Sequence, residues 1–152
     1  NILSLESHGL EEAPHYGWPY CYGKQGTDSG YSSQKEFCQN TSRPAVFNLQ
    51  AHSAPLGVAL VPNTDQWPAS LRNNLLIGYH GSWNRSVPTG YKIVALDISD
   101  TQATPINLVT GWLEENGQEW GRPVDVEFLP GGQLLISDDK AGIIYIMRKS
   151  ES

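Results

Sequence analysis

From Ala54 onward, the sequence repeats one pattern of short apolar runs separated by turn residues. Runs of four to eight residues bounded by Gly, Pro, Asn and Asp are typical of β-strands joined by tight turns. In both copies, a strand ending in proline precedes a Leu-Leu-Ile strand, at 75–77 and again at 134–136. The pattern therefore predicts two copies of one antiparallel sheet. Its runs are PLGVALVP, NNLLIGYH, YKIVALDI and INLVTGW, then RPVDVEFLP, QLLISDD and IIYIMRK.

A repeat of roughly 40 to 50 residues with up to four antiparallel strands is typical of a β-propeller blade. We therefore predict an all-β fold of propeller blades, each a four-stranded antiparallel sheet. Residues 54–113 form one blade in this interpretation, and 114–152 a final, incomplete blade that stops after three strands. Residues 1–53 form an inter-blade segment with a long loop, in which the one expected strand is Ile2 to Leu5. Little helix is expected anywhere.

The composition excludes several functional classes. Five tryptophans, seven tyrosines, fifteen glycines and ten prolines fit short strands and many turns. The net charge of −6 comes without any run of Lys or Arg, so a nucleic-acid partner is not expected. A membrane span is not expected either, because no apolar stretch approaches roughly 18 residues. The chain opens on Asn1 without the features of a signal peptide, which fits a processed chain or a fragment of a longer one.

Cys21 and Cys38 are the only two cysteines, and they bracket a polar segment with little apolar surface to hold it closed. A disulfide between them would stabilise such a loop by about 3 kcal/mol. It would also imply an oxidising compartment, the periplasm or the outside of the cell. Two unrelated free thiols are the alternative. Zinc is disfavoured, because neither cysteine has a second thiol or a histidine at ligand spacing.

The YGWP segment at residues 16–19 is expected to be an architectural corner. Gly17 would permit the bend, Trp18 would fill it, and Pro19 would end the strand pairing.

Five ordered motifs carry a family resemblance that covers nearly the whole chain. Together they resemble the C-terminal half of soluble pyrroloquinoline-quinone (PQQ) sugar dehydrogenases of the aldose and sorbosone type. The motifs are HYGWPYCYG at 15–23, QAHSAPLG at 50–57, HGSWNRSVPTGYK at 80–92, GRPVDV at 121–126 and SDDKAGIIY at 137–145.

The resemblance implies a six-bladed propeller that holds PQQ and calcium at the mouth of its central channel and oxidises a sugar or a sugar aldehyde. The family's catalytic histidine and its calcium ligands lie in blades that precede the YGWP segment, so no catalytic residue and no metal ligand are assigned to this chain. We therefore expect the chain to be inactive alone. The missing blades would be supplied in cis or by another chain, and association with a second copy is the other expectation.

The resemblance also implies that this chain supplies one wall of the cofactor pocket. A planar tricarboxylate quinone requires cations for its carboxylates, flat groups for its faces and hydrogen-bond donors for its oxygens. Arg122 is the strongest candidate, because by position it resembles a family arginine that contacts the cofactor, and Arg85 is the candidate partner for its carboxylates. The remaining candidates are the ring of Trp83 and three polar contacts, namely His80, Asn84 and His52.

Simpler interpretations stand beside each of these assignments. Trp83 could be a packing residue beneath a surface loop, and the two arginines could be strand-end cations paired with Asp125 or Asp139. Asp138 and Asp139 could suggest a cation site, although carboxylates in such turns more often accept hydrogen bonds from the backbone. The alternative for the whole chain is a non-catalytic propeller fragment, or a module that binds carbohydrate or serves a structural role.

Overall fold

A computed structural model describes residues 14–149 of the chain, which divide into two units between Leu49 and Gln50. The first unit contains two short antiparallel strands, β1 (Cys21–Tyr22) and β2 (Gly26–Thr27). A 3₁₀ segment (Ser29–Gln34) and helix α1 (Lys35–Asn40) follow them. The strand expected at Ile2 to Leu5 lies outside the described residues. The prediction of at most one strand in the first fifty residues is wrong, because β1 and β2 both lie there.

The disulfide between Cys21 and Cys38 closes the first unit. It confirms the predicted pairing and makes the free-thiol alternative wrong. From Ser29 onward the segment between the cysteines is helical, where a loop was expected. Asp28 caps the 3₁₀ segment by accepting a hydrogen bond from the Gly30 amide at 2.8 Å, which satisfies a donor left free at a helix start. Disulfides persist in oxidising compartments, so the bond indicates a secreted or extracellular-type domain.

The YGWP corner is only partly as predicted. Gly17 has a φ of +96°, and a Cβ there would lie 2.9 Å from the Cys21 sulfur, so the bend requires glycine. Trp18, however, is 84% exposed and does not fill the corner. The ring that was expected to pack inward points to solvent instead.

The second unit contains a four-stranded and a three-stranded antiparallel sheet. The first sheet has the order β3 (Pro55–Leu60), β4 (Leu75–Tyr79), β5 (Lys92–Leu96) and β6 (Ile106–Val109). The second sheet has the order β7 (Pro123–Phe128), β8 (Leu134–Asp138) and β9 (Ile143–Met147). All seven strands fall within the predicted apolar runs. Between the sheets, the acidic segment 114–119 is a turn whose ends are bridged by Leu113 and Glu119.

Glycine permits the two sheets of the second unit to approach closely. A Cβ at Gly57 of β3 would lie 2.8 Å from the Val124 carbonyl oxygen of β7, and one at Gly78 of β4 would lie 3.0 Å from the same oxygen. Apolar side chains from both sheets then form one core, which stabilises the unit by removing them from water. The core residues are Val61, Trp67, Leu76, Tyr91, Ile93, Ala95, Trp112, Val126, Leu134 and Ile136.

Strand β9 is paired on one side only within residues 14–149. Ile143, Ile144 and Ile146 of this strand are all substantially exposed. An unpaired apolar edge is a template for pairing with another chain, so we expect the purified chain to self-associate at high concentration.

A charge on this edge tests the expectation. We predict that Ile144→Lys shifts the chain toward monomer in multi-angle light scattering, because lysine on an edge strand opposes pairing. Ile98→Lys is the matched control, since Ile98 is exposed but lies beyond the end of β5. A wild-type chain that stays monomeric over the whole concentration range would contradict the prediction.

Among residues 14–149, no helix combines the length and the apolar character needed to cross a membrane.

Candidate functional site

One end of the second unit collects most of the predicted site residues, and we call it the rim. It consists of residues 50–54, 80–91, 119–122 and 138–142. The starts of β3, β5, β7 and β9 and the ends of β4 and β8 meet there, because the strands in both sheets are antiparallel. The sequence places His80 directly after β4 and Arg122 directly before β7, so both side chains begin at this end.

Arg122 fastens the loop of residues 80–91 to the second sheet. Its guanidinium donates to the carbonyl oxygens of Gly81 and Ser82, each at 3.1 Å, and to the Tyr91 hydroxyl at 3.1 Å. The guanidinium carbon also lies 4.8 Å from the centroid of the Tyr91 ring, within range of a cation–π contact. The Tyr91 hydroxyl itself donates to the Ser82 carbonyl. Three of the five N–H groups of Arg122 are therefore used within the chain, and two point elsewhere.

Asp138 holds the backbone of Arg122 in place. Its carboxylate is buried and accepts hydrogen bonds from the amides of Arg122 at 2.9 Å and Ala141 at 2.8 Å, and from the Tyr145 hydroxyl at 3.1 Å. Burial alone would raise the pKa of Asp138, but the hydrogen bonds outweigh it and lower the pKa below the ordinary value. The carboxylate is thus charged and saturated with donors, as expected for a turn-forming aspartate.

The other two rim carboxylates also have cationic or ring-nitrogen partners. Glu119 lies 2.9 Å from Lys140 Nζ and 3.6 Å from Arg122 Nη2. The hydrogen bond from Lys140 is the main reason that the pKa of Glu119 is lowered. Asp139 is paired with His80, whose Nε2 lies 2.9 Å from Asp139 Oδ1. The rim therefore presents no unpaired carboxylate among these three.

Four of the predicted site residues are exposed at the rim. Trp83 is 85% exposed, which contradicts the alternative that it packs beneath the loop. Asn84 and Arg85 follow it in the same exposed loop, and within residues 14–149 Arg85 makes no hydrogen bond or ion pair. His52 is exposed with a φ of +64° and precedes Ser53, whose carbonyl accepts from the Gly81 amide at 3.0 Å. The segments 50–54 and 80–82 are therefore in direct contact.

The structure thus brings all six candidates to one end of the two sheets. Arg122 belongs to a network with Tyr91 and Glu119. His80 forms a separate pair with Asp139. The side chains of His52, Trp83, Asn84 and Arg85 are exposed. The alternative that pairs the arginines with Asp125 or Asp139 is wrong for Arg122, whose partners are carbonyl oxygens, Tyr91 and Glu119.

Sequence reasoning missed three members of this network. Tyr91, Glu119 and Lys140 hold Arg122 or its partners, yet each stands in a segment that was interpreted only as a strand start, a loop or a turn. The GYK sequence of the predicted loop motif was a usable signal for Tyr91, because a tyrosine at a strand start can direct its hydroxyl back to the preceding loop.

Within the described residues, no group of three or more His, Cys, Asp or Glu side chains is arranged to hold a metal ion. The chemistry of the rim suits an anion instead. Arg85 offers an unpaired guanidinium, Trp83 an open ring face, and Asn84 and His52 hydrogen-bonding groups. One such guanidinium can pair with one carboxylate, and an exposed ring can stack on a flat group.

A family described as TrAA12-like matches residues 2–150. The sequence is 38% identical over 139 residues to an uncharacterized protein of Borreliella burgdorferi, a match that covers 89% of this chain and 36% of that protein. It is 27% identical over 130 residues to a pyrroloquinoline quinone-dependent pyranose dehydrogenase of Coprinopsis cinerea, a match that covers 72% of this chain and 17% of that protein. The chain therefore spans only a fraction of the length of these relatives.

Two solved structures show the same fold. The holo PQQ domain of pyranose dehydrogenase from Coprinopsis cinerea superposes with a TM-score of 0.67 at 24% identity, covering 90% of this chain and 41% of that one. The calcium structure of Trichoderma reesei Carbohydrate-Active Enzymes Family AA12 gives a TM-score of 0.67 at 22% identity, covering 95% of this chain and 40% of that one. The family match and the Coprinopsis cinerea sequence relative support the predicted relation to PQQ-dependent sugar dehydrogenases, but not the narrower assignment to the soluble aldose or sorbosone type.

Proposed function

Because the chain belongs to the TrAA12-like family, we propose that it is the distal part of a PQQ-dependent dehydrogenase and supplies one wall of the cofactor pocket. Sugar oxidoreductase relatives support the general class. A pyranose is the proposed substrate rather than sorbosone, since the relative at 27% identity is named for pyranose oxidation. The two sheets would be neighbouring blades of a six-bladed propeller, and the rim would face the mouth of its channel.

The observation that carries the proposal is the unpaired, exposed guanidinium of Arg85 in the same loop as the exposed ring of Trp83. An exposed cation without a partner contributes little to folding, so its place in the loop needs another reason. A carboxylate of the cofactor would pair with this guanidinium, and the Trp83 ring would cover part of the planar face. Asn84, His52 and the ring of His80 would hold the cofactor's oxygens.

Arg122 would act mainly by positioning the loop. Its guanidinium fixes the carbonyls of Gly81 and Ser82, and therefore fixes the base of the segment that presents Trp83 and Arg85. One Nη1 hydrogen and the Nε hydrogen remain for a direct contact with the cofactor. Both uses need the planar fork of arginine, so lysine would not replace it.

When bound, PQQ would accept the hydride that leaves the sugar. The residue that removes the sugar's proton, and the ligands of calcium, would come from the part of the protein that precedes this chain. This chain would therefore bind the cofactor without completing the reaction. The disulfide supports a secreted or periplasmic location for the longer enzyme.

Turnover by the isolated chain tests whether the residue that removes the proton lies outside this chain. We expect no oxidation of glucose or other pyranoses above the cofactor-only baseline when PQQ, calcium and a dye acceptor are added, because the catalytic base is missing. The measurement is dye reduction followed by absorbance, with the same mixture lacking protein as the control. Oxidation at an ordinary enzymatic rate, on the order of 10 per second, would contradict the proposal.

A further inference from the structure

The second unit carries a groove at the end of its sheets opposite the rim. Its walls are the segment that follows β3, the turn between β7 and β8, and the residues that follow β9. The cavity has a volume of about 690 Å³, which is the size of a small-molecule site. Its lining residues are Asp65, Gln66, Trp67, Pro68, Arg72, Gly131, Gly132, Gln133, Met147, Arg148 and Lys149.

Two walls of the groove are fixed to each other. The buried Trp67 donates from its indole nitrogen to the Gly132 carbonyl at 2.8 Å, and its ring packs edge-on against Phe128 at 5.3 Å. A Cβ at Gly132 would lie 2.9 Å from Cβ of Gln66, so the turn and the loop are in close contact. The cavity is therefore a preformed feature of the two sheets, as ligand sites usually are.

The groove is cationic on a chain whose net charge is −6. Among the residues that the structure describes, Arg72, Arg148 and Lys149 line it against a single carboxylate, that of Asp65. Asp65 is already neutralised by Arg72, whose Nη2 lies 2.9 Å from it. Arg148 and Lys149 are exposed and make no hydrogen bond or ion pair within residues 14–149. Two uncompensated positive charges therefore face the cavity.

We propose that this groove binds a sugar unit that carries a carboxylate, such as a uronate residue of an acidic glycan. Arg148 and Lys149 would hold the carboxylate, because a guanidinium fork and an ammonium both form charge-assisted hydrogen bonds to it. The amides of Gln66 and Gln133 combine a donor and an acceptor, which matches sugar hydroxyls. The site is separate from the rim and does not depend on the proposed cofactor role.

Titration calorimetry on the full 152-residue chain tests the proposal, with tetragalacturonate as the probe. We expect saturable binding, weakened at least tenfold by the double substitution Arg148→Gln and Lys149→Gln. The substitution Lys24→Gln with Lys35→Gln, at exposed lysines of the first unit, removes the same charge and should leave affinity unchanged. Gln133→Leu keeps all charges and should weaken binding by at least threefold, so the proposal remains testable if the double variant does not fold.

A neutral sugar and an inorganic anion separate the contribution of the carboxylate from that of the sugar hydroxyls. Cellotetraose should bind at least tenfold more weakly than tetragalacturonate, and inorganic phosphate should neither match its affinity nor displace it at equal concentration. Equal binding of cellotetraose, equal binding of phosphate, or an equal loss of affinity in the control variant would overturn the proposal. The groove variants should bind PQQ like the wild type, which keeps this test independent of the one for the rim.

Discussion

Replacing Asp138 by alanine is expected to lower the free energy of unfolding of the second unit by about 3 kcal/mol. The substitution leaves the amides of Arg122 and Ala141 and the Tyr145 hydroxyl without their acceptor. These donors are partly buried, and each one left without a partner costs on the order of 1 kcal/mol. Without Asp138, the backbone of Arg122 would no longer be held in place, and Arg122 fastens the rim loop. Stability and cofactor binding should therefore fall together.

The measurement is urea denaturation monitored by tryptophan fluorescence. Asp139→Ala is the matched control, because that neighbouring carboxylate is exposed and its pair with His80 is worth at most about 1 kcal/mol. Equal destabilisation by both substitutions would contradict the assigned role of Asp138.

The same carboxylate predicts a pH dependence with a definite sign. Its pKa is lowered in the folded state, so its contribution is fully present above the unfolded value of about 3.9. The contribution is lost as the pH falls through the lower, folded value. The stability difference between the wild type and Asp138→Ala should therefore be constant near neutrality and shrink below about pH 4. A stability difference that instead grows as the pH falls would contradict a lowered pKa of Asp138 in the folded state.

Removing the disulfide is expected to destabilise the first unit by about 3 kcal/mol. The bond joins residues separated by 17 positions. In the chain-entropy model, closing a loop of that length lowers the entropy of the unfolded chain, which stabilises the folded state by about this amount. The elements that it connects, β1 and α1, are too short to be stable alone. Reduction should therefore unfold residues 14–49 before the sheets of the second unit.

Hydrogen exchange on Cys21→Ser with Cys38→Ser checks this expectation. Amides of the first unit should lose protection, while those of β4 and β8 in the second unit keep it. Ser42→Ala is a useful comparison, because it deletes a single buried hydrogen bond to the Cys38 carbonyl without touching the disulfide. Unchanged protection in the double serine variant would show that the segment folds without its cross-link.

The strands of the second unit were predictable because each one is a short apolar run ended by turn residues. The pairing of β3 through β6 followed from their order, since strands that are consecutive in the sequence usually lie next to each other in a sheet. The helix after Asp28 was not predictable in the same way. Its six-residue segments are too short for an apolar period, and their stability depends on the cap and on the disulfide at Cys38.

The location of the site was predictable from the sequence, but the hydrogen-bond partners of its residues were not. The resemblance to propeller blades implied that the loop after β4 and the segment before β7 lie at the same end of their two sheets, so His80 and Arg122 were expected at one rim. Which acceptors Arg122 contacts depends on the path of the loop backbone, and no local pattern reveals that the guanidinium turns toward Gly81 and Ser82. The prediction that Trp18 fills the corner was wrong for a related reason, because the sequence does not show which side of a turn faces solvent.

The most direct test of the cofactor wall is a titration of the chain with PQQ, followed by the absorbance of the quinone. We predict saturable binding that Arg85→Gln weakens by about tenfold or more, which corresponds to the loss of one charge-assisted hydrogen bond. Lys35→Gln removes the same charge from α1 and should leave the curve unchanged. Superimposable curves for the wild type and Arg85→Gln would contradict the assignment of the rim as the PQQ site.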